Sequence, residues 1–191
     1  MKHFKATDEN YEFVPAADII AEAEANRPAF GHSPLGFLSR SDGFLPHTPP
    51  LEALPASHQV WDEAAAQLPA LMAGRHVRAA IDDLPLLSGG EDDLDDVYLW
   101  RATLVLSYIA HAYGHSAVEP APLPHSLVKP WGEVNRRLGR PHPGITLSDY
   151  CYNWTLRDPQ GPRAVENMDL MVSWCGNEEE RIFLLSTTEM H

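Results

Sequence analysis

Cysteine is scarce in this chain, since only Cys151 and Cys175 occur among 191 residues. Two cysteines are too few for the disulfide framework of a small secreted protein. Free cysteines are typical of a reducing compartment, where they behave as small apolar residues. We therefore expect a cytoplasmic protein.

Positive charge is also scarce, because 14 Lys and Arg residues stand against 27 Asp and Glu residues. Binding to DNA or RNA requires Lys and Arg clustered against the phosphates, so a nucleic-acid partner is not expected. The acidic excess mainly favours solubility.

Long apolar runs are missing as well. No stretch of about 18 apolar residues occurs, so no membrane-spanning helix and no membrane partner are expected. The opening stretch MKHFKATDENYEFVP has no apolar segment of the kind found in a signal peptide.

Familiar catalytic motifs are absent from the sequence. There is no Gly-x-Ser-x-Gly, no Cys matched with a His pattern, and no Lys after Gly89-Gly90 that would make a phosphate loop. The acidic run GGEDDLDD lacks the spacing of a calcium loop. It precedes a predicted helix, where acidic residues favour the helix dipole.

Helical periodicity dominates what is present, and it predicts a mostly α fold. Apolar residues recur every three or four positions, and Pro or Gly punctuates the segments. The predicted helices cover residues 16–28, 57–72 with a kink or restart at Pro69, 76–85, 95–116, 126–138 ending at Gly139, a short helix within 145–158, and 177–191. One short strand is expected near residues 168–174.

Two histidines lie four residues apart on the most apolar predicted helix. His111 and His115 have the spacing with which one helix face can bind a metal ion. No Glu lies between them in the metalloprotease pattern, and no third ligand is evident. The alternative is that both are core histidines whose polar atoms bond to backbone or carboxylate groups.

An ordered set of local patterns goes further than composition. It comprises GFLP with PLEALP (43–55), LPLLS (84–88), WRATLVLSYIAHAYG (100–114), LPHSLVKPW (123–131), LGRPHPGITLSDYCYNWTLRDP (138–159), ENMDLMVSW (166–174) and IFLLSTTE (182–189). In order and spacing this set resembles the N-terminal part of the indoleamine 2,3-dioxygenase family, over roughly residues 40–191.

The resemblance implies an all-helical haem enzyme. Members of that family use haem b and O₂ to open the indole ring of L-tryptophan or a related indole, and the product is N-formylkynurenine. It also implies a small helical domain over residues 1–140, followed by the first helices of a larger haem domain over residues 141–191. An axial ligand and an apolar pocket are the protein's main contributions to such chemistry.

The resemblance assigns distal-pocket positions to two segments. Thr146 and Tyr150 fall on the first, where relatives usually carry Tyr and a small apolar residue, so a modified tryptophan is one possible substrate. Phe183 and Thr187 fall on the second, and an alignment shift of one residue selects Ser186 instead. The alternatives are core packing for Phe183 and a hydroxyl bonded to its own helix for Thr187.

The family's proximal His, its carboxylate-binding Arg and its Gly-rich loop match nothing in these residues. We therefore expect a fragment of a haem dioxygenase that is inactive in isolation and does not bind haem as the family does. One alternative is a helical binding module derived from the family without catalysis. The other is a metal protein built on the two histidines.

Overall fold

The computed structural model describes residues 48–140 and 142–189, together with residues 17, 18, 21, 45 and 46. The described chain is mostly helical, which confirms the predicted fold class. Between residues 48 and 189 the helices are α1 (Gln59–Ala66), α2 (Leu68–Gly74), α3 (Val77–Asp82), α4 (Leu99–His115), α5 (His125–Arg137), α6 (Leu147–Cys151) and α7 (Glu178–Glu189). Most of the helix predicted over residues 16–28 lies outside the described residues.

A proline separates the first two helices. α1 ends at Ala66, and α2 begins at Leu68 with Pro69 in its first turn, where a missing backbone N–H leaves no helical hydrogen bond unmade. The restart expected at Pro69 is therefore confirmed. Ser57 does not cap α1: it lies in a 3₁₀ turn, and its Oγ is 2.9 Å from Nδ1 of His58.

Helix α4 forms the centre of the core. It is buried continuously from Leu99 to Ala110 and again at Ala112 and Tyr113. Helices α1, α2, α3, α5 and α6 all pack against it. A helix that is apolar on most of its faces is stable only when other elements surround it, as they do here.

The end of α5 is fixed by a glycine and an arginine. Gly139 has φ of 71°, a left-handed conformation that favours glycine after a helix. Arg137 donates from Nη1 to the carbonyl oxygens of Gly89 and Gly90, at 2.8 and 3.0 Å, and pairs with Asp96 at 2.6 Å. The acidic run before α4 is thereby held against α5, and no acidic residue lies in the first turn of α4 itself.

The helix predicted within residues 145–158 is shorter than expected. α6 covers only Leu147–Cys151, and Thr155–Leu156 forms strand β1, which pairs antiparallel with β2 (Met168–Asp169). The chain leaves the helix because the side chain of Asn153 bonds to distant partners. Its Nδ2 donates to the Tyr108 hydroxyl at 3.0 Å and to the carbonyl of Val172 at 2.7 Å. Its Oδ1 accepts from the N–H of Val172 at 2.9 Å. The predicted strand near residues 168–174 is present at its first two positions.

A buried ion pair joins the end of α5 to α6. Arg140 Nη1 lies 3.0 and 3.1 Å from the two carboxylate oxygens of Asp149, whose side chain is fully buried. Asp149 also accepts from the N–H and hydroxyl of Thr146, which caps α6.

Within the described part of the chain, no helix is long and apolar enough to cross a membrane.

Asn153→Ala is expected to lower the free energy of unfolding by about 2–4 kcal/mol, because it leaves the N–H and C=O of Val172 buried without partners. Urea denaturation followed by circular dichroism measures the change. Gln160→Ala, an exposed site in a nearby turn, serves as the control and should change stability by less than about 0.5 kcal/mol. Equal effects of the two substitutions would contradict this role of Asn153.

Candidate functional site

An apolar groove lies between α6, the loop of residues 173–176 and α7. It has a volume of about 420 Å³. Its lining consists of Leu147, Tyr150, Trp174, Cys175, Glu180, Phe183, Leu184 and Thr187. We call it the α6–α7 groove. It brings together three of the five residues assigned by sequence to the distal pocket: Tyr150, Phe183 and Thr187.

Large apolar side chains of α6 and α7 are exposed. On α7, Phe183 and Ile182 are 72% and 46% exposed, and on α6 Leu147 is 53% exposed. The next two residues of α7, Leu184 and Leu185, are buried. Phe183 therefore does not pack in the core of the described chain, and its ring is available to a ligand or to another segment. Contiguous exposed apolar groups of this kind typically mark binding surfaces.

The other assigned residues occupy different settings. The Thr187 hydroxyl lines the groove and donates to the carbonyl of Phe183 at 3.2 Å, so it bonds to its own helix. Ser186 is half-buried and is not among the residues that line the groove. Thr146 caps α6 through Asp149 and also lies outside the lining. The assignment of Ser186 and Thr146 to the pocket stays a prediction.

Tyr150 contributes an aromatic ring and a hydroxyl to the groove. Its ring meets the Trp174 ring edge-on at 6.2 Å. Burial and, as the smaller cause, the nearby negative charge of Asp149 raise the pKa of Tyr150 above its ordinary value. The hydroxyl is therefore protonated at neutral pH and can donate a hydrogen bond to a ligand.

Trp174 is held rigidly by α4. Its ring stacks on Tyr108 with 4.2 Å between centroids and an interplanar angle of 21°, and its indole N–H donates to the backbone carbonyl of Tyr108 at 2.9 Å. Because both the ring face and the polar atom are fixed, Trp174 presents a preformed surface to the groove. Preformed aromatic surfaces lower the entropy cost of binding a flat ligand.

Glu180 is a groove residue that sequence analysis did not single out. Its carboxylate accepts from the Ser173 hydroxyl at 2.5 Å and from the N–H groups of Trp174 and Cys175, each at 2.8 Å. A signal for it exists in the sequence. The segment NEEE (177–180) has the spacing of a capping box, in which the third residue of a helix reaches back to the chain before the helix. Accordingly, the N–H of Glu180 donates to the side-chain oxygen of Asn177 at 2.9 Å.

Cys151 is not an activated nucleophile in this arrangement. Burial raises the pKa of the Cys151 thiol to about 11, so the thiolate is rare at neutral pH. Cys175 is exposed at the edge of the groove, and both cysteines are free.

The two histidines of α4 lie in a separate cavity. His111 donates from Nδ1 to the carbonyl of Ser107 at 2.8 Å, and the His111 and His115 rings are 6.2 Å apart. The cavity, of about 310 Å³, is also lined by Trp131. Across the residues that the structure describes, no group of three or more His, Cys, Asp or Glu side chains is placed to hold a metal ion.

Comparison with known proteins identifies the family. The model of the indoleamine 2,3-dioxygenase family matches residues 37–191. The chain is 37% identical to indoleamine 2,3-dioxygenase 2 of Mus musculus over 158 residues, which cover 78% of this chain and 37% of that protein. It is 35% identical to indoleamine 2,3-dioxygenase 1 of Rattus norvegicus over 147 residues, covering 74% of this chain and 35% of the relative.

A fungal relative extends the comparison. An indoleamine 2,3-dioxygenase of Penicillium citrinum is 30% identical over 151 residues, which cover 76% of this chain and 34% of that protein. The chain thus spans a little over a third of the length of the curated relatives that it matches. Over most of its own length it belongs to the indoleamine 2,3-dioxygenase family.

Proposed function

We propose that this chain contributes the distal side of the active site of a haem-dependent dioxygenase. The substrate would be L-tryptophan or a related indole, which O₂ converts to N-formylkynurenine in tryptophan catabolism. The observation that carries the proposal is the α6–α7 groove, in which Tyr150, Trp174 and the exposed Phe183 face one apolar space. Membership of the family supports the reaction class.

The groove suits an aromatic ligand for physical reasons. Phe183 and Trp174 offer apolar ring surfaces, and burying an aromatic side chain against a ligand contributes roughly 1.5–3 kcal/mol. Tyr150 supplies a neutral donor. The Thr187 oxygen retains a lone pair that can accept from an indole N–H even while its own hydrogen bonds to Phe183. Ser186 takes this role in the alternative alignment.

The groove fits haem b as an apolar wall and not as a source of the axial ligand. Phe183 and Leu147 are exposed apolar side chains that would contact a flat macrocycle or the substrate above it. None of the described residues that line the groove is a histidine. Bound haem would supply the iron at which O₂ is activated. We place its proximal His in a part of the protein other than this groove.

The division of the chain at residue 140 belongs to the same proposal. Residues 1–140 would form the small domain, and residues 141–191 would begin the haem domain. α6 and α7 carry the groove and fall in the second part. The two free cysteines support the cytoplasm as the compartment.

A second candidate function is a non-catalytic binding module. The observation that favours it is the main core, which is continuous from Leu45 to Val172 and draws on helices α1 to α6. Such a core allows cooperative unfolding of the chain by itself. In that case the groove would bind an indole or a partner segment without chemistry. A chain that binds apolar dyes and unfolds without cooperativity would exclude this candidate.

Phe183→Ala is expected to weaken the binding of L-tryptophan to the chain roughly tenfold, because the ring that lines the groove is 72% exposed and would be buried by the ligand. Isothermal titration calorimetry measures the affinity. Ile182→Ala is the matched control, since Ile182 is exposed on the same helix but does not line the groove. Equal affinities of the wild type and Phe183→Ala would remove the groove from substrate binding.

Haem reconstitution tests the placement of the axial ligand. The purified chain of residues 1–191, mixed with equimolar haem and reduced, should not give a stoichiometric His-ligated ferrous spectrum, because the groove lining includes no histidine. Absorption spectroscopy of the Soret region provides the measurement. A full-occupancy spectrum that disappears on His111→Ala would show that this chain supplies its own ligand, against the proposal.

A further inference from the structure

Glu180 accepts four hydrogen bonds from the loop of residues 173–176. Besides Ser173, Trp174 and Cys175, the N–H of Gly176 donates to it at 3.2 Å. Three of these donors, on Ser173, Cys175 and Gly176, bond to Oε2, and the Trp174 N–H bonds to Oε1. Both carboxylate oxygens are therefore engaged by the protein itself.

The donors to Glu180 are consecutive residues of one loop. Ser173, Trp174, Cys175 and Gly176 all turn a polar hydrogen toward the same carboxylate, and the Ser173 oxygen additionally accepts from the N–H of Gly176 at 2.6 Å. Hydrogen bonds to an ionised acceptor are stronger than neutral ones. One side chain on α7 therefore binds four consecutive residues of the loop that forms the opposite side of the groove.

On the side away from Glu180, the loop of residues 173–176 packs closely against α2. Gly176 has φ of 64°, and a Cβ atom at this position would lie 3.1 Å from Cβ of Pro69 on α2. The loop thus lies between Pro69 and Glu180. Trp174 belongs to this loop, so a displacement of the loop would pull its ring away from the stack on Tyr108 and change the surface that lines the groove.

We propose that Glu180 is the positioning residue of the α6–α7 groove. It acts through Trp174: the carboxylate holds the 173–176 loop in place, and the loop holds the indole ring at the angle at which it can stack on a bound indole. This inference rests on the proposed function for the nature of the ligand. The role of Glu180 in fixing Trp174 does not depend on it.

The test uses the full chain labelled with 5-fluorotryptophan, in which the five tryptophans give separate ¹⁹F resonances and Trp174→Phe assigns one of them. Glu180→Gln keeps the size of the side chain but replaces one acceptor oxygen with a donor. We expect the Trp174 resonance to shift or broaden, while those of Trp61, Trp100, Trp131 and Trp154 keep their positions. Glu179→Gln removes the same charge from the same helical turn and should leave all five unchanged.

Indole titration adds the functional measurement. The dissociation constant for indole should rise about tenfold in Glu180→Gln and stay at the wild-type value in Glu179→Gln, consistent with the loss of charged hydrogen bonds. An unchanged Trp174 resonance, or a common shift of all five resonances, would overturn the inference. An unchanged indole affinity alongside a shifted Trp174 resonance would overturn it as well. If the wild type binds no indole, the proposed function fails, while the resonances still decide the role of Glu180.

Discussion

The contacts of Tyr108 are the constraint on which the second half of the structure depends. Its hydroxyl accepts from Asn153, its backbone carbonyl accepts from the Trp174 indole, and its ring stacks on Trp174. Burial raises the pKa of Tyr108 far above its ordinary value, so the hydroxyl stays neutral in this network. Through these bonds the buried helix α4 orients both the chain after α6 and the loop before α7.

This arrangement leaves one side of α7 without protein cover in the described chain. Leu184 and Leu185 face inward, whereas Phe183 is largely exposed beside the groove. The exposed Phe183 ring and the Trp174 ring both line the groove, and a ligand there would cover their apolar surface. The matched relatives are more than twice as long as the region they share with the chain.

Much of the fold was predictable because it follows from local patterns. Periodic apolar residues predicted α4, and Gly139 predicted the end of α5. Strand β1 was missed because Thr155–Leu156 pairs with residues more than ten positions away, and the hydrogen bonds of Asn153 override the helical tendency of its neighbours. Glu180 was missed because it stands in a run of three glutamates, and only its position three residues after Asn177 distinguishes it from the other two in sequence.

Amide chemical-shift mapping on the ¹⁵N-labelled chain, titrated with L-tryptophan, shows whether the α6–α7 groove binds the indole substrate, as we propose. We expect the largest shifts on Tyr150, on residues 173–176 and on Phe183 to Thr187. Shifts centred instead on the cavity of His111 and His115, or no shifts at saturating ligand, would contradict it.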